Sequence, residues 1–105
     1  MPYLDLSALD SYAAPEVAIP YAYSAESDVH DAKCVLEILE TAPTGESYFT
    51  YSDDFVKTLP REGVILLDIE DAGYYRLTVT LLSSRGTLRS ELKFASDSVE
   101  FEVVP

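Results

Sequence analysis

Residues 68–82 read Asp68-Ile69-Glu70-Asp71-Ala72-Gly73-Tyr74-Tyr75-Arg76-Leu77-Thr78-Val79-Thr80-Leu81-Leu82, and this stretch decides the fold. From Tyr75 onward, Tyr75, Leu77, Val79 and Leu81 fall on one side, and Arg76, Thr78, Thr80 and Leu82 on the other. That is the period of a strand with one buried face. Upstream, Asp71-Ala72-Gly73 makes an acidic turn, and the strand begins at the tyrosines. Tyr75 heads the apolar set, and Tyr74 points to the other face. Gly73 is expected where the chain bends tightly, with a positive φ.

On either side the pattern repeats. Val64 to Ile69 is a nearly continuous apolar run, expected to be a strand covered on both faces or at least well buried. Val17, Ile19, Tyr21 and Tyr23 alternate with Ala18, Pro20, Ala22 and Ser24; Pro20 cannot donate a ladder bond and should face an unpaired side or a bulge. Lys33 to Thr41 places Cys34, Leu36 and Ile38 on one face. A helix over residues 28–40 is the competing reading, but the β-branched and aromatic excess elsewhere favours a strand. Pro43 and Gly45 mark a turn before the aromatic strand Ser47 to Ser52. Asp53 to Lys57 is ambiguous, and Thr58 to Gly63 reads as a loop.

Near the N-terminus, residues 1–10 form a first strand or edge segment, broken at Ser11 to Glu16 by Pro15. After residue 82, Ser83 to Gly86 reads as a hairpin turn. Thr87 to Phe94 and Ser98 to Val104 form the returning strand, interrupted at Ala95 to Asp97. About seven short strands spaced by turns point to an all-β, antiparallel sandwich in a single domain spanning residues 1–105. Its expected core is Cys34, Leu36, Ile38, Ile65, Leu67, Ile69, Leu77, Val79, Leu81, Val99, Phe101 and Val103.

The segment from Gly63 to Val104 resembles the second half of bacterial immunoglobulin-like and fibronectin type III-like modules. It has an apolar strand, a Gly-Tyr entry, a Leu-Thr-Val-Thr strand and a last strand of the Phe-Glu-Val kind. Val17 to Ile38 is similar to their strands B and C, and Asp71 to Tyr75 resembles the tyrosine corner of immunoglobulin-like sandwiches. The chain departs from these families in lacking both a Cys pair and a Trp. The resemblance implies an immunoglobulin-like architecture, with the Tyr75 hydroxyl bonded to backbone between the preceding strand and Gly73. It also implies a non-catalytic interaction or spacer module of a larger surface, secreted or virion protein, extracellular or at the cell surface, with a virion or cytoplasmic setting as the alternative. Val103-Val104-Pro105 reads as a last strand running into an interdomain linker, so neighbouring domains are expected partners.

Composition narrows the partners. The 105 residues suit one core, and 19 acidic against 7 basic residues give a formal net charge of −12, which repels nucleic acid and anionic lipid. No apolar run approaches the ~20 residues a membrane-crossing helix needs. Asn, Gln and Trp are absent, which removes any acceptor for N-linked sugar and any indole platform. The lone Cys34, set in an apolar run, reads as a small buried hydrophobe.

Among candidate sites, Asp68, Glu70 and Asp71, with Asp28 and Asp31, are oxygen ligands that would suit calcium; no other cofactor is indicated. His30 reads as a solvated loop residue, and no triad can be assembled except around it and one of many serines, so the chain is read as not an enzyme. Eight tyrosines supply the binding reading. Tyr21, Tyr23, Tyr48 and Tyr51 are candidate contacts for a protein or carbohydrate, against the alternative that one row fills the core and another covers a sheet face.

Overall fold

The computed structural model describes residues 3–25, 29–82 and 95–105. Eight strands run through them: β1 (Tyr3–Leu6), β2 (Ser11–Ala13), β3 (Glu16–Ser24), β4 (Val29–Thr41), β5 (Ser47–Pro60), β6 (Glu62–Asp68), β7 (Gly73–Leu81) and β8 (Ala95–Val104). They form a three-stranded sheet, β1-β3-β6, and a five-stranded sheet, β2-β8-β7-β4-β5, which face each other as a sandwich. Residues 29–41 form a strand and not a helix, with Ala32, Cys34 and Leu36 buried at alternate positions.

The sandwich is not purely antiparallel. β2 pairs parallel to β8, with Ser11 opposite Glu102 and Ala13 opposite Val104. The chain leaves β1 in one sheet, runs beside β8 in the other, and returns to the first sheet as β3 through a cis Ala14–Pro15 bond. Ser11 to Ala13, expected as a break, is therefore a strand. Three residues are too few for an alternating pattern to register.

β5 also exceeds its expected length. Its rungs with β4 run from Thr41–Ser47 to Val29–Pro60, with a register shift between Leu36 and Glu37 that leaves Ser52 without an opposite residue. Residues 53–60 lie on an edge strand where Asp53, Asp54, Lys57 and Thr58 are exposed together with Val56, so β4 and not hydrophobic alternation holds them extended. The expected loop at Thr58 to Gly63 shrinks to a reversal at Arg61. The turn at the other end of β5 keeps its expected glycine: Gly45 has φ +92°, and its N–H donates to the Ala42 carbonyl at 2.8 Å.

β6 is buried on one face only. Ile65 is fully buried, whereas Val64 is 49% and Leu66 68% exposed, which corrects the expectation of a strand covered on both sides. β8 runs unbroken through Ala95 to Asp97, paired with Leu81 to Val79. The turn at 83–86 and the strand at 87–94 lie outside the described residues. Pro20 behaves as its chemistry requires. Its carbonyl accepts from Ser7 N at 2.9 Å, and N–H and C=O of one strand residue share an edge, so its missing donor falls where the β1 ladder has ended at Leu6–Tyr21.

The core joins both sheets. Val17, Ile19, Tyr21, Tyr23 and Ile65 pack from one side, and Cys34, Leu36, Leu77, Val79, Leu81, Phe101 and Val103 from the other. Ile38, Leu67 and Val99 are only partly buried against it. At the start of β7, Tyr75 is buried, stacks on Phe101 at 6.1 Å, and donates its hydroxyl to the Asp71 carbonyl at 2.7 Å. Gly73 has no positive φ, contrary to expectation, and an added Cβ would meet Ile38 at an ordinary 3.4 Å. The tighter approach is at Gly63, where a Cβ would lie 3.1 Å from the Tyr21 hydroxyl oxygen and the ring would have to give by a few tenths of an ångström.

Candidate interaction surface

Because β7 alternates, its second face is determined by its first. Tyr75 and Leu77 point inward, so Tyr74, Arg76 and Thr78 point outward from the five-stranded sheet. The register then assembles their neighbours. Tyr74 lies opposite Glu102 on β8, and Arg76 is flanked by Glu100 on β8 and Glu37 on β4. Glu37 in turn lies opposite Tyr51, and Leu39 opposite Phe49, on β5. Beyond Ile38–Tyr75 the ladder to β7 ends, so the β4–β5 ribbon projects past the sheet and lifts Leu39 and Phe49 beside Tyr74.

Arg76 is the hub of this face. Its Nε donates to Glu37 Oε1 at 2.9 Å, and its guanidinium carbon lies 4.2 Å above the Phe49 ring centroid. The Glu37 hydrogen bond, and then the charges of Glu37 and Glu100, hold the guanidinium above its ordinary pKa. A second group sits further along β5. The Tyr51 hydroxyl donates to Asp54 Oδ1 at 3.0 Å, and Lys33 Nζ lies 3.2 Å from Asp54 Oδ2. The Tyr51 hydrogen bond, followed by that of Lys33, lowers the Asp54 carboxyl, and the same Asp54 contact raises the Tyr51 phenol. Tyr51 and Tyr74 remain 64% and 55% exposed. Between Tyr74 and the ribbon lies a hollow of about 420 Å³ lined by Leu39, Phe49 and Tyr74, with Asp10, Glu100 and Glu102 along it. Aromatic rings fixed beside satisfied charges can accept a partner with little loss of side-chain freedom.

The four tyrosines singled out from the sequence do not form one site. Tyr21 and Tyr23 are buried, and the Tyr23 hydroxyl donates to the Leu59 carbonyl at 2.7 Å; both rings belong to the core and offer no face to a ligand. Tyr48 is exposed but lies opposite Glu40, on the ribbon face away from Tyr51. Only Tyr51 shares the outer face with Tyr74, Arg76 and Phe49. Those three were missed as site residues, although the alternation that buries Tyr75 also exposes Tyr74 and Arg76.

Asp68, Glu70 and Asp71 are exposed around the β6–β7 turn. Among the described residues no group of three His, Cys, Asp or Glu side chains could hold a metal ion, so these carboxylates do not converge with Asp31; Asp28 lies outside the described residues. His30 is not a solvated loop residue. It is buried in β4 with Nδ1 3.1 Å from the Leu82 carbonyl oxygen and its ring edge-on to Tyr23. Burial pushes the Cys34 thiol up to about 11. Among the described residues no helix is long and apolar enough to cross a membrane. No family model matches the chain, and no curated protein matches it significantly.

Proposed function

We propose that this chain is a non-catalytic interaction module, an immunoglobulin-like sandwich within a larger surface, secreted or virion protein, that docks a protein partner on the outer face of its five-stranded sheet. The strand order supports the immunoglobulin-like assignment: the N-terminal strand is divided between the two sheets, and Tyr75 bonds back to the Asp71 carbonyl. The functional reading rests on one observation. Phe49, Tyr51 and Tyr74 stand on a single outward face around the Arg76–Glu37 pair, whereas the inward tyrosines are sealed in the core. Aromatic residues and Arg are the types enriched where protein partners dock. The rings alternate with ion pairs, an arrangement that suits a protein surface better than the open aromatic row that stacks a sugar.

A photo-crosslinking side chain placed at position 51 or 74, with position 18 on the opposite sheet as control, tests this reading in extracts of the source cells. A discrete adduct of one mass from 51 and 74, absent from 18, is the expected result. Equal labelling from all three positions, or adducts from 18 alone, would sink it.

A further inference from the structure

Among the described residues four strands lie at sheet edges, and three of them carry features that discourage pairing with another chain. β1 and β2 are four and three residues long. β5 is long, but it has a register shift, carries Asp53, Asp54 and Lys57, and ends in Pro60. Short length, charge, proline and irregularity are the usual ways of blunting an edge. β6 has none of these along its centre. Its seven residues run in unbroken register on β3, without proline or lysine, and present Val64 and Leu66 to solvent. Beside it the two sheets part, leaving a groove of about 400 Å³ between β5 and β6 lined by Leu36, Phe55, Leu67 and Ile69, with Asp53, Lys57 and Asp68 around it.

We infer that the β6 edge takes an extended segment of a partner protein as an added strand, with apolar side chains entering this groove and lysine or arginine at both ends of the outward row. This goes beyond the docking face described above and does not depend on it. The charge requirement follows from register. The outward row of β6 is Glu62, Val64, Leu66 and Asp68. A second copy of the chain is a poor occupant: the antiparallel register that pairs all seven residues with their copy sets Val64 against Leu66 but Glu62 against Asp68, twice. Like charges directly opposite are destabilising, and a net charge of −12 on each copy adds to the repulsion. A strand with cations at those two positions turns both repulsions into attractions. Main-chain hydrogen bonds then supply affinity, and the groove supplies side-chain selectivity.

The test is an amide-resolved NMR titration of the isotope-labelled chain with the capped peptide Ser-Lys-Leu-Val-Ile-Thr-Val-Lys-Ser, and with the same peptide carrying Glu in place of both Lys. The Lys peptide should shift the amides of residues 62–68 and slow the exchange of those that face the free edge, with no added exchange protection along β5. The Glu peptide should bind about fivefold more weakly or worse. Placing lysine at the two exposed positions, V64K with L66K, should abolish binding of the Lys peptide while the spectrum stays dispersed. Unchanged amides in 62–68 at millimolar Lys peptide, or equal binding of the two peptides, overturns the proposal. Protection of β6 that grows with protein concentration and needs no peptide would overturn it too, because the occupant would then be a second copy.

Discussion

The guanidinium of Arg76 lies 4.2 Å above the Phe49 ring, a contact between strands that are not neighbours in the sheet, since β4 runs between β7 and β5. Both side chains rise on the outer face and meet across the backbone of β4, where Glu37 Oε1 accepts the hydrogen bond from Arg76 Nε. A double-mutant cycle of Arg76→Ala with Glu37→Ala should show favourable coupling at low salt that shrinks toward zero near 1 M salt, where the Debye length falls to about 3 Å. The coupling of Arg76→Ala with Phe49→Ala should survive better, because ring contact includes dispersion as well as charge. Coupling to Glu37 that ignores salt would show that the pair is held by packing alone.

Leu77 and Leu66 make a second comparison, one fully buried in β7 and the other exposed on β6. Leu77→Ala should cost on the order of 2–4 kcal/mol in chemical denaturation through lost burial and a cavity. Leu66→Ala should change stability by about half a kcal/mol or less. A loss below half a kcal/mol at Leu77 would place it on the surface.

Cys34 predicts a slope with pH. Burial raises the thiol from its ordinary 9.0 to about 11, with Lys57 pulling weakly the other way. Below pH 9 both states keep the proton and stability is untouched. Between pH 9 and 11 the unfolded chain releases the proton while the folded chain retains it, so stability falls as pH rises, by about 2 kcal/mol from this group. Burial also raises Tyr21 and Tyr75, which adds to the decline at the alkaline end. Cys34→Ala should remove the thiol's share of the slope, and the native thiol should resist thiol reagents at pH 8. Rapid modification without unfolding would contradict its burial.

The strands with one dry face were legible in the sequence because burial writes itself as period two: β3, β4, β7 and most of β8 follow directly from Ile19, Cys34, Leu77 and Phe101. β2 and the second half of β5 were not. At β2 three residues carry no period, and Asp53 to Pro60 is held extended by β4 pairing that local composition does not reveal. Tyr21 and Tyr23 show the matching difficulty at the candidate site. A tyrosine row looks the same from the sequence whether it faces a core or a partner, and only the facing sheet, where the Tyr23 hydroxyl meets the Leu59 carbonyl and its ring meets His30, settles which. His30 misled because its acidic neighbours suggest a loop, whereas β4 begins one residue before it and turns its ring inward.

The proposed docking face turns on the register of β7, which seals Tyr75 under the hydrogen bond to Asp71 and leaves Tyr74 on the outer side. Chemical denaturation of Tyr75→Phe beside Tyr74→Phe measures that register most directly. Tyr75→Phe keeps the ring on Phe101 but leaves the Asp71 carbonyl without its donor, and should lower stability by roughly 1–3 kcal/mol with the fold retained. Tyr74→Phe, on the exposed side, should change it by less than about half a kcal/mol. Equal losses, or a larger loss at Tyr74, would reverse the two faces of β7 and take the proposed docking surface with them.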